Sequence, residues 1–180
     1  FFTGKYPRES RKMGALDKIT LPHSFCFTLS QLFSKRDEPM KITSGRKLSV
    51  SSRQIEEMRR HVENCYPEEG CGILGGFKDR VEWVIPVTNM LHSSTRFQMD
   101  PQEQVDAYYK IEEQGGNLIG IYHSHPAGPQ HPSDSDIRES ATPEVIHIIW
   151  HPHDEDWSFQ AFCIDPAEGY FLVEISVDRP

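Results

Sequence analysis

The sequence has no apolar run approaching the roughly 18 residues that a membrane-spanning helix needs, which excludes a spanning segment. It has no Cys-x-x-Cys pair: its four cysteines stand at 26, 65, 71 and 163, too scattered for a zinc knuckle or a disulfide framework. Reduced thiols in a cytoplasmic protein are the expectation. It is also short of positive charge, with 19 Lys/Arg against 27 Asp/Glu and a formal net charge of −8. Residues 1–39 carry seven Lys/Arg against four Asp/Glu, whereas the remainder carries 12 against 23. An acidic body lacks the clustered Lys/Arg that phosphate backbones require, so no nucleic-acid partner is expected. No internal repeat is visible.

A chain of 180 residues suits one folded domain. Residues 1–39 read as a flexible or irregular extension, with a short helix near Thr28–Phe33 and an apolar stretch too interrupted for a signal peptide. Residues 40–180 read as the domain, and Met40 is an alternative start for it. Ser51 or Ser52 is placed to cap a helix in which Ile55, Met58, Val62 and Cys65 share a face. Tyr66-Pro67 ends it, and Cys71–Phe77 and Val81–Val87 follow as strands joined around Lys78-Asp79. Asp100-Pro101-Gln102-Glu103 combines a capping Asp, a first-turn Pro and a Glu at the capping-box position. Gly115-Gly116 stops this second helix. Asn117–His125 and Val145–Trp150 are further strands, and Ser158–Ile164 with Tyr170–Val177 form an antiparallel pair. The pattern predicts a single α/β (α+β) domain. Met90, Met99 and the strand aromatics are assigned to its core. His151–Asp156, with two histidines and three acids, is assigned to a solvated hairpin loop rather than to a second metal site.

The chemistry concentrates at the end of the strand Leu118–Tyr122. Residues i and i+2 of a strand point to one face, so His123 and His125 are placed to grip one ion. Asp136 follows His125 after ten intervening residues, beyond a Pro- and Gly-containing turn that could bring the chain back. Two imidazoles and a carboxylate leave a zinc ion one open position, as hydrolytic chemistry requires. Zinc supplies a Lewis acid and brings water towards ionisation at neutral pH. Proton transfer then needs a carboxylate near the ion; Glu69 is the candidate and Glu68 its competitor. Ser133, three residues before Asp136, is a candidate oxyanion donor. It equally fits a helix capping box, and both roles are compatible.

Glu69, His123-Ser124-His125-Pro126, six residues, Ser133, two residues and Asp136 resemble the motif of the JAMM (MPN-plus) metalloproteases, with no departure in spacing. Pro67-Glu68-Glu69-Gly70-Cys71-Gly72 is similar to that family's Pro-x-Glu-x-Cys-Gly opening, a register that selects Glu69 over Glu68. The resemblance covers about residues 40–177, including the Asn89 region and Arg96-Phe97. It implies an MPN/JAMM-like fold: a mixed, largely antiparallel sheet flanked by helices in cytidine-deaminase-like layering. It also implies one catalytic Zn2+ held by His123, His125 and Asp136, with Glu69 and Ser133 catalytic. The implied substrate is a ubiquitin-like or sulfur-carrier protein, cleaved at a peptide or isopeptide bond after its Gly-Gly tail. Two alternatives stand beside it. One is a hydrolase releasing an amino acid from a sulfur-carrier protein in cysteine or cofactor synthesis; the other is a non-catalytic MPN scaffold.

Overall fold

The computed structural model describes residues 45–178; the expected extension and its short helix lie outside the described residues. Seven strands close into a barrel in the order β1-β3-β2-β4-β5-β6-β7. In sequence they are β1 (Lys47–Ser51), β2 (Cys71–Phe77), β3 (Arg80–Val87), β4 (Asn117–Ser124), β5 (Ile146–His153), β6 (Asp156–Asp165) and β7 (Gly169–Asp178). Helix α1 spans Ser52–Cys65, α2 Pro101–Glu113 and α3 Asp134–Glu139. Four neighbouring pairs are antiparallel, while β4–β5, β1–β3 and β1–β7 are parallel. The α+β expectation holds. The closure into a barrel was not foreseen, because it depends on β1, a strand absent from the sequence reading. The Leu48/Val50 alternation was its only local signal, and its partners lie far away in β7 and β3.

The helices form where local chemistry favours them. Ser51 caps α1 and exchanges hydrogen bonds with Gln54, satisfying two end groups reciprocally. Met58 and Val62, four residues apart, are fully buried below it. Asp100 caps α2 by accepting from the backbone N–H groups of Gln102 and Glu103 at 2.8 and 2.9 Å. Glu103 does not complete a capping box there. Its carboxylate instead accepts from Thr88 N–H and hydroxyl, at 2.6 and 3.0 Å, and ties α2 to the end of β3.

The sheet has two differently used faces. Against one packs α1, whose Met58 and Val62 meet Leu48, Leu74, Tyr122, Ile148 and Trp150 in an apolar core. Against the other pack α2, through Ala107 and Ile111, and α3, through Ile137. Gly72 matters to the first face: a Cβ there would lie 2.4 Å from the Tyr122 ring, which occupies that space. Three assignments are corrected. The strand aromatics Phe77, Tyr170 and Phe171 are exposed rather than core, because they sit where β2 ends and β7 begins. Met90 is half exposed, at 50%, because it follows the end of β3 in the loop leading to α2 rather than in a strand. His151–Asp156 is the solvated hairpin expected over residues 152–156, but strand pairing runs on to His153↔Asp156 and His151 is buried. Within that hairpin only Asp154-Glu155 turns.

Candidate metal centre

Register assembles the site. Cys71 of β2 lies opposite His123 of β4 in an antiparallel pair, so the two residues before Cys71 run alongside the two after His123. Ser124 N–H donates to Gly70 C=O, and Gly70 N–H donates back to the Ser124 hydroxyl, each at 2.9 Å. Glu69 is thereby carried beside His125, 56 positions away in sequence. Its backbone is pinned on both sides: its N–H donates to Ser93 C=O, and its C=O accepts from the Asn89 side chain at 3.0 Å. Buried Asn89 also accepts from Leu91 and Gln98 N–H, so one amide organises the loop leading to α2. Glu68 points elsewhere, its carboxylate meeting His92 Nδ1 at 3.0 Å on the exposed side. The side chain to watch is therefore Glu69.

His123 is fully buried and His125 nearly so. Their Nε2 atoms lie 3.1 Å apart. Asp136 arrives from the first turn of α3, with its Oδ1 3.4 Å from His123 Nε2 and its Oδ2 3.3 Å from His125 Nε2. These three residues are the one group of His, Cys, Asp and Glu among the described residues whose donor atoms converge as a metal site requires. An ion about 2.0–2.1 Å from each of three tetrahedral donors would hold them roughly 3.3 Å apart, so the observed triangle fits. His125 Nδ1 donates to Pro129 C=O at 2.8 Å, so in the neutral ring it is the Nε2 lone pair that faces the other two donors. Phe97 stacks on His123 at 4.5 Å, closing the apolar side.

Ser133 caps α3. Its hydroxyl and its N–H both donate to Asp136 Oδ2, at 2.6 and 2.7 Å, holding that carboxylate in place. His131, in the same loop, is exposed, stacks on Tyr170 at 5.7 Å and is not one of the converging donors.

The electrostatics follow from burial and proximity. Burial raises the Glu69 carboxyl from 4.5 to about 7, with the Asp136 carboxylate adding to the rise and His125 opposing it. Burial would also raise Asp136, but hydrogen bonds from His123, His125 and Ser133 hold it far below the usual carboxylate range. Burial lowers His123. The same effect on His125 is outweighed by Asp136 and Pro129, which raise it. His147, also fully enclosed, is pushed down to about 3 by burial and by His123. Two carboxyls side by side are driven in opposite directions, the arrangement from which acid and base roles are made. The sequence reading missed Ser124 and His147 as contributors and did not foresee how much rests on Asn89. A polar side chain on the α1-facing side of an apolar strand was the available signal for Ser124.

Residues 51–162 match the family of prokaryotic homologs of the JAB domain. The chain belongs to that family. The JAMM resemblance drawn from Glu69 and the His123-to-Asp136 motif agrees with it. Among curated relatives, a probable TtuB-protein conjugate cleaving protease of Thermus thermophilus is 40% identical over 97 residues, covering 53% of this chain and 65% of that protein. The chain thus spans slightly less than two thirds of that relative. A CysO-cysteine peptidase of Mycobacterium tuberculosis is 31% identical over 104 residues, covering 57% of this chain and 71% of the relative. In three dimensions, a Desulfitobacterium hafniense protein solved in solution superposes with a TM-score of 0.68 at 33% identity, covering 74% of this chain and 94% of its own. Among the described residues, no helix is long and apolar enough to cross a membrane.

Proposed function

We propose that this JAB-family chain is a zinc-dependent peptidase that hydrolyses the peptide or isopeptide bond after the Gly-Gly tail of a ubiquitin-like or sulfur-carrier protein. One observation carries the reading: a buried carboxyl, Glu69, raised to about 7 beside three converging metal donors. A group with that value takes a proton and returns it near neutral pH, which peptide hydrolysis needs twice. The relative that cleaves TtuB conjugates and the CysO-cysteine peptidase supply the substrate class.

In this mechanism His123, His125 and Asp136 hold the ion, and Ser133 and the Pro129 carbonyl keep two of them oriented. When bound, zinc provides Lewis acidity towards the scissile carbonyl and lowers the pKa of water. Glu69 removes the proton of the attacking water and delivers it to the leaving amine. The Ser133 hydroxyl, 2.6 Å from Asp136, is close enough to the donor triangle to turn and donate to the developing oxyanion. Glycine before the scissile bond suits a carbonyl that must enter between buried residues. The free Cys65, Cys71 and Cys163 accord with a reducing, cytoplasmic setting.

A second reading has the enzyme release a single amino acid from a sulfur-carrier protein, and the CysO-cysteine peptidase similarity favours it. The scaffold alternative leaves the raised Glu69 without a purpose. The test is mass measurement of products after incubating wild type and His125→Ala with ubiquitin-like or sulfur-carrier domains, each extended after Gly-Gly by a peptide, a lysine side-chain conjugate or one cysteine. The wild type is expected to cut after Gly-Gly. His125→Ala should lose at least ~10³-fold of the activity together with stoichiometric zinc, the value of several kcal/mol of Lewis-acid assistance. Cleavage unaffected by His125→Ala or by chelation would sink the proposal.

A further inference from the structure

Among the described residues, four buried side-chain polar atoms have no hydrogen-bonding partner, and two of them are at the metal centre: His123 Nδ1 and His147 Nδ1. His147 is on β5, directly across from Ile121, and so shares a sheet face with His123 one step diagonally away. The two rings stand perpendicular, at 89°, with centroids 6.4 Å apart. Both residues are almost wholly enclosed.

This pairing bears on how His123 binds metal. His125 has its tautomer set by Pro129, so its Nε2 carries the lone pair. His123 Nε2 is 3.1 Å from His125 Nε2 and 3.4 Å from Asp136 Oδ1, so it is the nitrogen of this ring that faces the other two donors. A ring protonated there offers nothing to a metal. To become a ligand, neutral His123 must carry its proton on Nδ1, where the fold supplies no acceptor in direct reach. A buried N–H left in that state costs its full desolvation penalty. Metal-binding histidines are ordinarily spared this cost because the second ring nitrogen donates to a fixed partner. The nearby group with a matching need is His147, whose Nδ1 is equally buried and equally without a partner.

We propose that His147 accepts the Nδ1 proton of His123 through one intervening water, and so holds His123 in the tautomer that binds metal. The rings make no direct hydrogen bond, and a single water is the smallest bridge between two buried nitrogens that each lack a partner. His147 is then a positioning residue, acting on the ion only through His123. The inference rests on the zinc reading above and deepens it.

Zinc affinity of the full chain, measured by competition with a chromophoric chelator, is the main readout, in wild type, His147→Leu and His147→Asn. The Asn side chain places an oxygen acceptor near the Nδ1 position, whereas Leu keeps bulk without one. His147→Leu should bind zinc roughly 10–100-fold more weakly, and His147→Asn should recover most of that loss. Long-range proton–nitrogen correlation spectra of histidine-labelled, zinc-loaded wild type should show the His123 proton on Nδ1 and slow to exchange. Wild-type affinity in both variants overturns the inference, and so do equal losses in both, since bulk would then be what matters. If His147→Leu does not fold, the wild-type spectrum decides, and a His123 Nδ1 without a bound proton overturns the proposal. A wild type that takes up no zinc overturns the metal reading and this inference together. Failure of the variants alone overturns only the role of His147.

Discussion

Tyr122 and His123 are consecutive, fully buried and on opposite faces of one strand, and they serve different ends. Tyr122 belongs to the α1 face, where Leu48, Met58, Val62, Leu74, Ile148 and Trp150 close over one another. Its hydroxyl finds a partner in His61 Nδ1 at 2.9 Å. His123 belongs to the opposite face, where burial is applied to groups that oppose it: two imidazoles, the Asp136 and Glu69 carboxyls and His147. One face uses the removal of water to gain stability. The other uses it to displace proton affinities and to leave ring nitrogens needing partners, which weakens the fold locally and prepares a site.

Three substitutions probe that division. Glu69→Gln keeps shape and removes the proposed base; kcat should fall by about 10²–10⁴ with zinc still bound, read by single-turnover cleavage and metal analysis. The same change should stabilise the chelator-treated protein at alkaline pH. A carboxyl raised from 4.5 to about 7 contributes no penalty below 4.5; the penalty grows as pH rises from 4.5 to 7, where the unfolded chain has ionised and the folded carboxyl has not, and is constant above 7. The gain should therefore be absent below about pH 4.5, grow between about 4.5 and 7, and level off on the order of 3 kcal/mol above pH 7 in melting curves. A wild type at least as stable as the variant at pH 9 would break the contrast between the faces.

Ile148→Ala is the counterpart on the α1 face. Deleting a fully buried aliphatic side chain should cost about 2–5 kcal/mol in denaturant titration while leaving zinc stoichiometry and kcat near wild type. Loss of zinc in a folded Ile148→Ala would show that the faces are not separable. Ser133→Ala should give the smallest effect on the fold, roughly 0.5–2 kcal/mol from the lost α3 cap. Its kinetics sort the two roles of that hydroxyl. A fall in kcat with unchanged zinc affinity marks oxyanion stabilisation, and weaker zinc binding with normal kcat at saturating metal marks the hold on Asp136.

Much of this was legible in one dimension. The caps of α1 and α2, the strand Cys71–Phe77 and the His123/His125 pair follow from neighbours within a few positions, where propensity and pleat act directly. β1 escaped because the partners of its five residues are in distant β7 and β3. Met90 misled because hydrophobic character does not reveal where a strand ends, and His151 because the acidic residues after it tolerate a paired hairpin end as well as a loop.

Sequence alone pointed to the candidate donor set and to the class of chemistry proposed for it. Two histidines at strand spacing, with Ser133 and Asp136 at a helix start, are local geometry that any compatible fold must respect. Tertiary structure decided what makes that set usable. The Cys71↔His123 register brings Glu69 to His125 and leaves Glu68 paired with His92 in solvent, although the two glutamates are chemically identical and adjacent. Burial, a property of the whole chain, lifts Glu69 to about 7 and sets His147 beside His123. Spacing along a chain specifies which groups share a face, whereas proton affinity depends on the distant groups that exclude water from them.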